Sequence, residues 1–338
     1  MKIMMAMSGG IDSSYGAKLF KDQGHEVIGC YMLLHNKPGY HEENIRRVKE
    51  VGKYLGIKTE ILDLQDKFKK EVYDPFIQIY KDGKTPNPCA LCNKQIKLGS
   101  LLEHALNLGC DKLATGHYVR IEDNLLKIAK DLSKDQSYFL ANIDPKSIPY
   151  MIFPLGDKLK KDVKEEASKI KALADIAAGK ESSEICFVEK TYIEVLNEYI
   201  KTDIPGIVKD KFGNKIGSHK GYMHYTIGKR SGFRIDGAHD PHYVIKIDPN
   251  NNEIIVGNKE DLFQSEFETQ NFNAFVNLKE FTAAIKIRYR SPKINGTVTV
   301  NQNGALIKLS EPASGIASGQ LAVFYDEQDR VLGSGFIK

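Results

Sequence analysis

The 338-residue sequence predicts an α/β protein: an N-terminal doubly wound parallel-sheet nucleotide-binding domain, a small β-rich central domain and a C-terminal antiparallel β-barrel. Three observations predict it. The apolar run Ile3-Met4-Met5-Ala6-Met7 reads as a buried strand, and it enters the Gly-rich turn Ser8 to Ser14 (SGGIDSS) and then a helix. Strand and helix patterns alternate over the first ~200 residues, as parallel sheets require. From about Pro205 the helical periodicity fades, and short β-rich runs are split by turn signals at Phe212-Gly213-Asn214, Asp248 to Asn252 and Asn301 to Gly304.

The elements follow in order. The first helix covers Ser13 to Asp22, the second strand Glu26 to Leu33, and a helix Glu42 to Leu55 stops at Gly56. A third strand, Lys58 to Leu64, leads to a helix over roughly Asp66 to Tyr80. The stretch Lys81 to Cys92, with Gly83, Pro86 and Pro88, reads as a loop feeding a helix Asn93 to Leu108 that ends at Gly109. The next strand, Lys112 to Thr115, ends in Gly116-His117. The domain plan is 1–204, 205–264 and 265–338, with barrel strands at Phe281 to Tyr289, Thr297 to Asn301, Leu306 to Ser310 and Gln320 to Tyr325. In open parallel sheets ligands bind at the carboxyl ends of strands. SGGIDSS, Met32 and Gly116-His117 all fall at such ends and are expected to converge on one crevice.

Composition bounds the function. Lys+Arg 48 against Asp+Glu 44 gives +4, which permits nucleic-acid binding only through a local patch. No run approaches the ~20 apolar residues of a membrane span, and the apolar start reads as a core strand rather than a signal peptide. A cytoplasmic, monomeric protein is expected. Its five cysteines (Cys30, Cys89, Cys92, Cys110, Cys186) then sit in a reducing compartment, where clustered thiols are catalytic, redox-active or metal-binding more often than disulfide-bonded.

SGGIDSS is suited to cradle phosphate. Gly9 and Gly10 allow a sharp turn and close backbone approach, and the first amides of the following helix point at a bound anion with the dipole behind them. Ser8, Ser13 and Ser14 add hydroxyls. No lysine ends the motif, so it is not the loop that grips β/γ-phosphates through GxxxxGK[ST]. Asp12 falls in the first helical turn, placed to hold Mg²⁺, to brace the loop or simply to favour the dipole.

Asn87-Pro88-Cys89-Ala90-Leu91-Cys92-Asn93 places two thiols on a loop, with Cys92 at or near a helix N-terminus that would favour its thiolate. A lone C-x-x-C is a zinc or redox pair, and without a second one a four-thiolate zinc site is disfavoured. Cys186, flanked by Ile185 and Phe187, reads equally as a buried structural cysteine or a reactive one, while Cys30 and Cys110 read as structural.

The ordered set SGGIDSS, TPNPCALCN (Thr85 to Asn93), ATGHYVR (Ala114 to Arg120), KDQSYFL (Lys134 to Leu140) and EICFV (Glu184 to Val188) resembles the bacterial tRNA-specific 2-thiouridylases of the MnmA type, within the pyrophosphate-loop ATPase superfamily. The likeness continues through Gly217 to Gly232, Lys286 to Arg290 and Gly319 to Tyr325, nearly the whole chain. It implies that ATP, with Mg²⁺, adenylates the 2-carbonyl oxygen of the wobble uridine in tRNAs for Lys, Glu and Gln, and that sulfur then displaces AMP. Cys186 carries the persulfide and Cys92 is the nucleophile that frees its sulfur, so a Cys92–Cys186 disulfide is expected on oxidation. ATP contacts carry over to Ala6, Met7, Ser8, Gly9, Gly10, Ile11, Asp12, Ser13, Met32 and Gly116. The target base falls to Asn87, Pro88 and Cys89, and tRNA to Lys134, Asp135, Gln136, Arg288 and Tyr289. Physically, Met32 suits an adenine face, Lys134 and Arg288 suit phosphate or plain solvated surface, and Tyr289 or Tyr138 suits a stacked base.

Two departures stand out. Cys89 replaces an Asp common in the family, which removes a carboxylate general base and leaves three thiols, Cys89, Cys92 and Cys186, that would also suit an iron–sulfur cluster. Lys180 to Glu184 replaces a more usual Asp-Ser pair, in a segment expected to move. The sulfur donor would be a cysteine desulfurase or a sulfur-relay protein. Two other functions compete: an AMP-forming ligase acting on a small molecule, disfavoured by the thiols, and a non-catalytic RNA- or metal-binding module, disfavoured by the intact loop.

Overall fold

The computed structural model describes residues 1–37, 39–179, 185–188, 190–237 and 241–338. The chain forms two compact units, one of Met1–Tyr73, Cys89–Glu184 and Glu327–Leu332, the other of Asp74–Pro88, Ile185–Asp326 and Gly333–Lys338.

The first unit is built on a parallel sheet. Its strands are β1 (Lys2–Ala6), β2 (Glu26–Leu33), β3 (Lys58–Asp63), β4 (Lys112–Ala114) and, after the hairpin β5 (Arg120–Glu122) and β6 (Leu125–Lys127), β7 (Met151–Ile152). The order is β3-β2-β1-β4-β7, with Met5 level with Gly29 on one side and Ala114 on the other. The chain winds outward through β2 and β3, then returns past β1 to β4, so the winding direction reverses between β1 and β4. That reversal opens a crevice at the strand ends. Ile3, Met5 and Met7 are all but inaccessible and meet Tyr15, Phe20, Val48, Val51, Leu155 and Val163 in one core.

The helices depart from the sequence reading in instructive ways. α1 (Ile11–Asp22) starts two residues earlier than expected, with Gly10 as its N-cap, and α2 is Tyr40–Leu55, closed by Gly56 in the left-handed region. The single helix expected over 66–80 is three pieces: α3 (Gln65–Phe68), a π-helical turn Lys69–Tyr73 and α4 (Asp74–Lys81). The break coincides with the division between the two units, which the amphipathic pattern does not register. The expected loop before Asn93 is partly helical: α5 (Pro88–Cys92) runs into a π-helical segment, Asn93–Ser100, and then α6 (Leu101–Asn107). Pro88 has a fixed φ and lacks an amide proton that a first helical turn would leave unpaired anyway, so it opens α5 readily. Beyond these lie α7 (Ser137–Leu140) and α8 (Lys160–Ser168).

The second unit holds two all-strand parts, save Val331 and Leu332 at the start of the last strand, which fall in the first unit. One is a five-stranded sheet of β8 (Gly206–Lys209), β9 (Lys215–His219), β10 (Phe233–Ile235), β11 (Tyr243–Asp248) and β12 (Glu253–Gly257), ordered β10-β9-β8-β12-β11 around buried Val208, Tyr225, Val244, Ile254 and Val256. The other is a closed six-stranded barrel, β13 (Phe263–Ala274), β14 (Glu280–Lys286), β15 (Ile294–Val300), β16 (Gly304–Ser314), β17 (Leu321–Tyr325) and β18 (Val331–Ile337), with antiparallel pairings. Four of these strands are close to those read from the sequence. β13 and β18 escaped that reading because β13 is largely polar and β18 carries Gly333 and Gly335. The strand expected to reach Tyr289 ends at Lys286, so Arg288 and Tyr289 stand on the following turn. Among the described residues no helix is long and apolar enough to cross a membrane.

Candidate active site

The site is built where β1 gives way to α1. Met7 donates its amide to the Cys30 carbonyl at 2.8 Å, which extends the parallel pairing to the edge of the turn. Gly9 then takes φ +80, and a Cβ there would come within 3.0–3.1 Å of Asn44 on α2. The turn is tied internally: the Ser8 amide donates to Ser13 Oγ at 3.1 Å, and Ser13 Oγ donates to the Gly10 carbonyl at 3.1 Å. No side chain caps α1. Its first-turn amides are therefore left to an outside acceptor, with the dipole of a twelve-residue helix behind them.

Gly116, just past β4, completes the cradle. A Cβ there would lie 3.0 Å from the Ser13 amide nitrogen and 3.1 Å from the Asp12 carbonyl carbon. Hydrogen alone lets the β4 end lie flat against the start of α1 across the switch point. Met32, half-buried near the end of β2, borders the same edge of the sheet. Ala6, Met7, Ser8, Gly9, Gly10, Ile11, Asp12 and Ser13 form this strand end, turn and first helical turn, so the residues expected to hold ATP are brought together as the crevice requires. A phosphate group fits the cradle.

Sequence reasoning missed two members of the site. Lys160, the first residue of α8, places Nζ 2.7 Å from both carboxylate oxygens of Asp12. The Tyr118 hydroxyl donates to Asp12 Oδ1 at 2.9 Å. Lys160 lies 148 positions from Asp12, inside the basic run Lys158-Leu159-Lys160-Lys161, which looks like ordinary surface charge. His117 is also buried here, its Nδ1 2.7 Å from Thr115 Oγ1; burial first, and the nearby Lys97 charge second, hold its pKa well below the ordinary 6.5.

The cysteines divide by surroundings. Cys30 and Cys110 are buried, as expected of structural thiols; burial, with Glu60 adding to it, pushes Cys30 up to about 12, and burial raises Cys110. Cys92 is buried; it is the last residue of α5 and the N-cap of the π-helical segment Asn93–Ser100, so helix precedes and follows it. Beside it the Asn93 side-chain amide donates to the Phe139 carbonyl at 3.0 Å, fastening this segment to α7. Asn87 and Pro88 are buried and Cys89 half-buried. Cys186 is exposed, which removes the reading of a buried structural cysteine. Cys92 belongs to the first compact unit and Cys186 to the second. The segment Lys180 to Glu184 lies outside the described residues.

The residues expected to meet tRNA are differently placed. The Asp135 carboxylate turns inward and accepts from the Ala129 amide at 3.0 Å and the Ser137 hydroxyl at 2.8 Å. Gln136 exchanges bonds with Tyr118: its side-chain oxygen accepts from the Tyr118 amide at 3.0 Å, and its own amide donates to the Tyr118 carbonyl at 2.9 Å. Lys134 is half-buried. Arg288 directs one guanidinium nitrogen to the Ile227 carbonyl at 3.1 Å, and Tyr289 is half-buried with the Lys286 ammonium 5.6 Å from its ring centre. Tyr138 is 1% exposed and packs edge-on to Phe139, so it offers no face for base stacking, contrary to expectation.

For Mg²⁺ the fit is simple: one carboxylate with phosphate oxygens and waters serves it, and Asp12 is the carboxylate at the turn. Among the described residues no three His, Cys, Asp or Glu side chains gather to hold a metal ion.

A parallel sheet with this turn at its switch point, leading into α1, defines a nucleotide-binding domain of the HUP type. The family model of the tRNA methyl transferase HUP domain matches residues 1–190, a tRNA methyl transferase PRC-barrel model matches 193–258, and an aminomethyltransferase β-barrel model matches 264–337. Curated relatives match from end to end: the tRNA-specific 2-thiouridylases MnmA of Campylobacter fetus (60% identical over 338 residues) and Campylobacter concisus (61% over 340), each with 100% of both chains covered. The chain belongs to the MnmA family of tRNA-specific 2-thiouridylases. Methyl transfer, named in two of the domain models, is not what these full-length relatives are named for. Solved structures are only loosely similar; a 4-thiouridine synthetase–RNA complex with bound ATP gives a TM-score of 0.35 at 17% identity, over 52% of this chain and 42% of that one.

Proposed function

We propose that this chain is an ATP-dependent tRNA sulfurtransferase of the cytoplasm that converts the wobble uridine of tRNAs for Lys, Glu and Gln to 2-thiouridine. The observation that carries the ATP step is the uncapped start of α1 at the β1/β4 switch point, against which Gly116 closes without a side chain. First-turn amides there hold the phosphates; the uracil 2-oxygen bonds to the α-phosphorus as its bond to the bridging oxygen breaks, and pyrophosphate leaves with that electron pair. The base loses its N3 proton to solvent. An oxo group is a poor leaving group and AMP a good one, which is the reason to consume ATP.

A sulfur donor, a cysteine desulfurase or a relay protein, loads Cys186 as a persulfide; its exposure suits delivery from another protein. The Cys92 thiolate attacks Sγ of Cys186, forming a Cys92–Cys186 disulfide and releasing hydrosulfide, which adds to C2 and expels AMP. An external thiol then reduces the disulfide, closing the electron balance. Asn87, Pro88 and Cys89 line the base side of this reading, while Lys134, Asp135, Gln136, Arg288 and Tyr289 mark its tRNA side, Asp135 and Gln136 through the turn they brace. The domain plan 1–204, 205–264 and 265–338 is supported by the three family-model ranges. Nucleotide analysis with unmodified tRNA tests the first step: AMP and pyrophosphate are expected, and ADP with phosphate would overturn it.

A further inference from the structure

The phosphate turn contains no lysine, yet an ammonium stands at its mouth. Lys160 Nζ bridges both oxygens of Asp12 at 2.7 Å, and only 11% of the Lys160 side chain is exposed. Asp12 is the second residue of α1, among the amides that await an anion. The lysine is held from behind: its backbone amide donates to Asp131 Oδ2 at 2.9 Å, and α8 is fastened to α1 by the Tyr15 hydroxyl donating to Glu166. The Tyr118 ring lies 5.7 Å from the ammonium, and the Tyr118 hydroxyl bonds the same carboxylate. An ammonium is a flexible point charge that changes partner without rearranging the backbone. The carboxylate it occupies is also the one a phosphate-bound Mg²⁺ would take.

We propose that Lys160 is the cation of this phosphate turn: it pairs with Asp12 before nucleotide arrives, then transfers to the β-phosphate of ATP, leaving Asp12 to Mg²⁺. It stays with the departing pyrophosphate as the bond between the α-phosphorus and the bridging oxygen breaks and that bond's electrons leave on pyrophosphate. Lys160 is thus a catalytic residue, supplied from a distant helix start where a P-loop supplies its own.

The proposal rests on the AMP-forming reading above, and calorimetry on the full chain separates the two. Lys160→Met is expected to weaken ATP and pyrophosphate binding about tenfold or more, the loss of a charge-assisted bond, while AMP binds as in the parent. Lys160→Arg recovers most of the pyrophosphate affinity. Asp12→Asn, measured without Mg²⁺, binds ATP at least as tightly as the parent, since it releases the ammonium. Equal losses for ATP and AMP in Lys160→Met would show a merely structural brace and overturn the proposal. So would Asp12→Asn and Lys160→Met weakening metal-free ATP equally. The underlying reading fails separately, if the parent itself yields ADP.

Discussion

His117 is a buried imidazole whose neutral form the fold selects, and stability should follow from it. Burial, then the Lys97 charge, depresses its pKa well below 6.5, and burial depresses His219 and His224 too. Below pH 6.5 the unfolded chain binds protons that the folded chain does not, so stability rises with pH and is lost as pH falls toward the folded values. The melting temperature should therefore drop between pH 7 and pH 5, and His117→Asn should flatten that drop, His219 and His224 retaining the rest. An unchanged slope in His117→Asn would contradict the assignment. At this scale the sequence is legible where chemistry is local. SGGIDSS announces a phosphate turn because seven consecutive residues make it. The Lys160–Asp12–Tyr118 contact was invisible because tertiary folding alone joins positions 12, 118 and 160. The sequence assigns Asp135 and Gln136 to tRNA by resemblance alone and does not reveal that their side chains accept from the Ala129 and Tyr118 amides.

The strand ends and helix starts carry the site, and their spacing depends on Gly116. Gly116→Ala would push a methyl group to 3.0 Å from the Ser13 nitrogen and 3.1 Å from the Asp12 carbonyl carbon, backbone atoms that move only with α1. Overpacking of this kind costs about 1–3 kcal/mol. Equilibrium denaturation should show that loss, and titration should show ATP affinity falling by about fivefold or more, given ~1.4 kcal/mol per decade. Unaltered ATP binding would mean that the β4 end does not frame the nucleotide. Periodicity located β2 and α2 to within two residues because both are long and strongly patterned. It failed at 65–81 and at Pro88–Cys92, where helices are four to eight residues long and π-turns intervene, and it failed at polar β13.

For the molecule as a whole, the modest +4 charge leaves RNA affinity to local groups rather than to a global field. Binding of unmodified tRNA should still weaken steeply with salt, since each neutralised phosphate releases a counterion, at about −0.7 to −0.9 in log K per log salt for each contact. Arg288→Ala should lower the magnitude of that slope by about one contact; a slope identical to the parent's would remove Arg288 from the RNA side. The two thiols of the proposed relay belong to different compact units, one buried and one exposed, an arrangement the cysteine spacing alone left open. The most direct measurement of the central claim is thionucleoside formation on unmodified tRNA, with ATP and a persulfide donor, for the parent, Cys92→Ser and Cys186→Ser, with AMP and pyrophosphate followed in parallel. The parent should form 2-thiouridine, and both variants should lose it while tRNA-dependent AMP and pyrophosphate formation persists. Thiouridine made by Cys186→Ser would contradict the account.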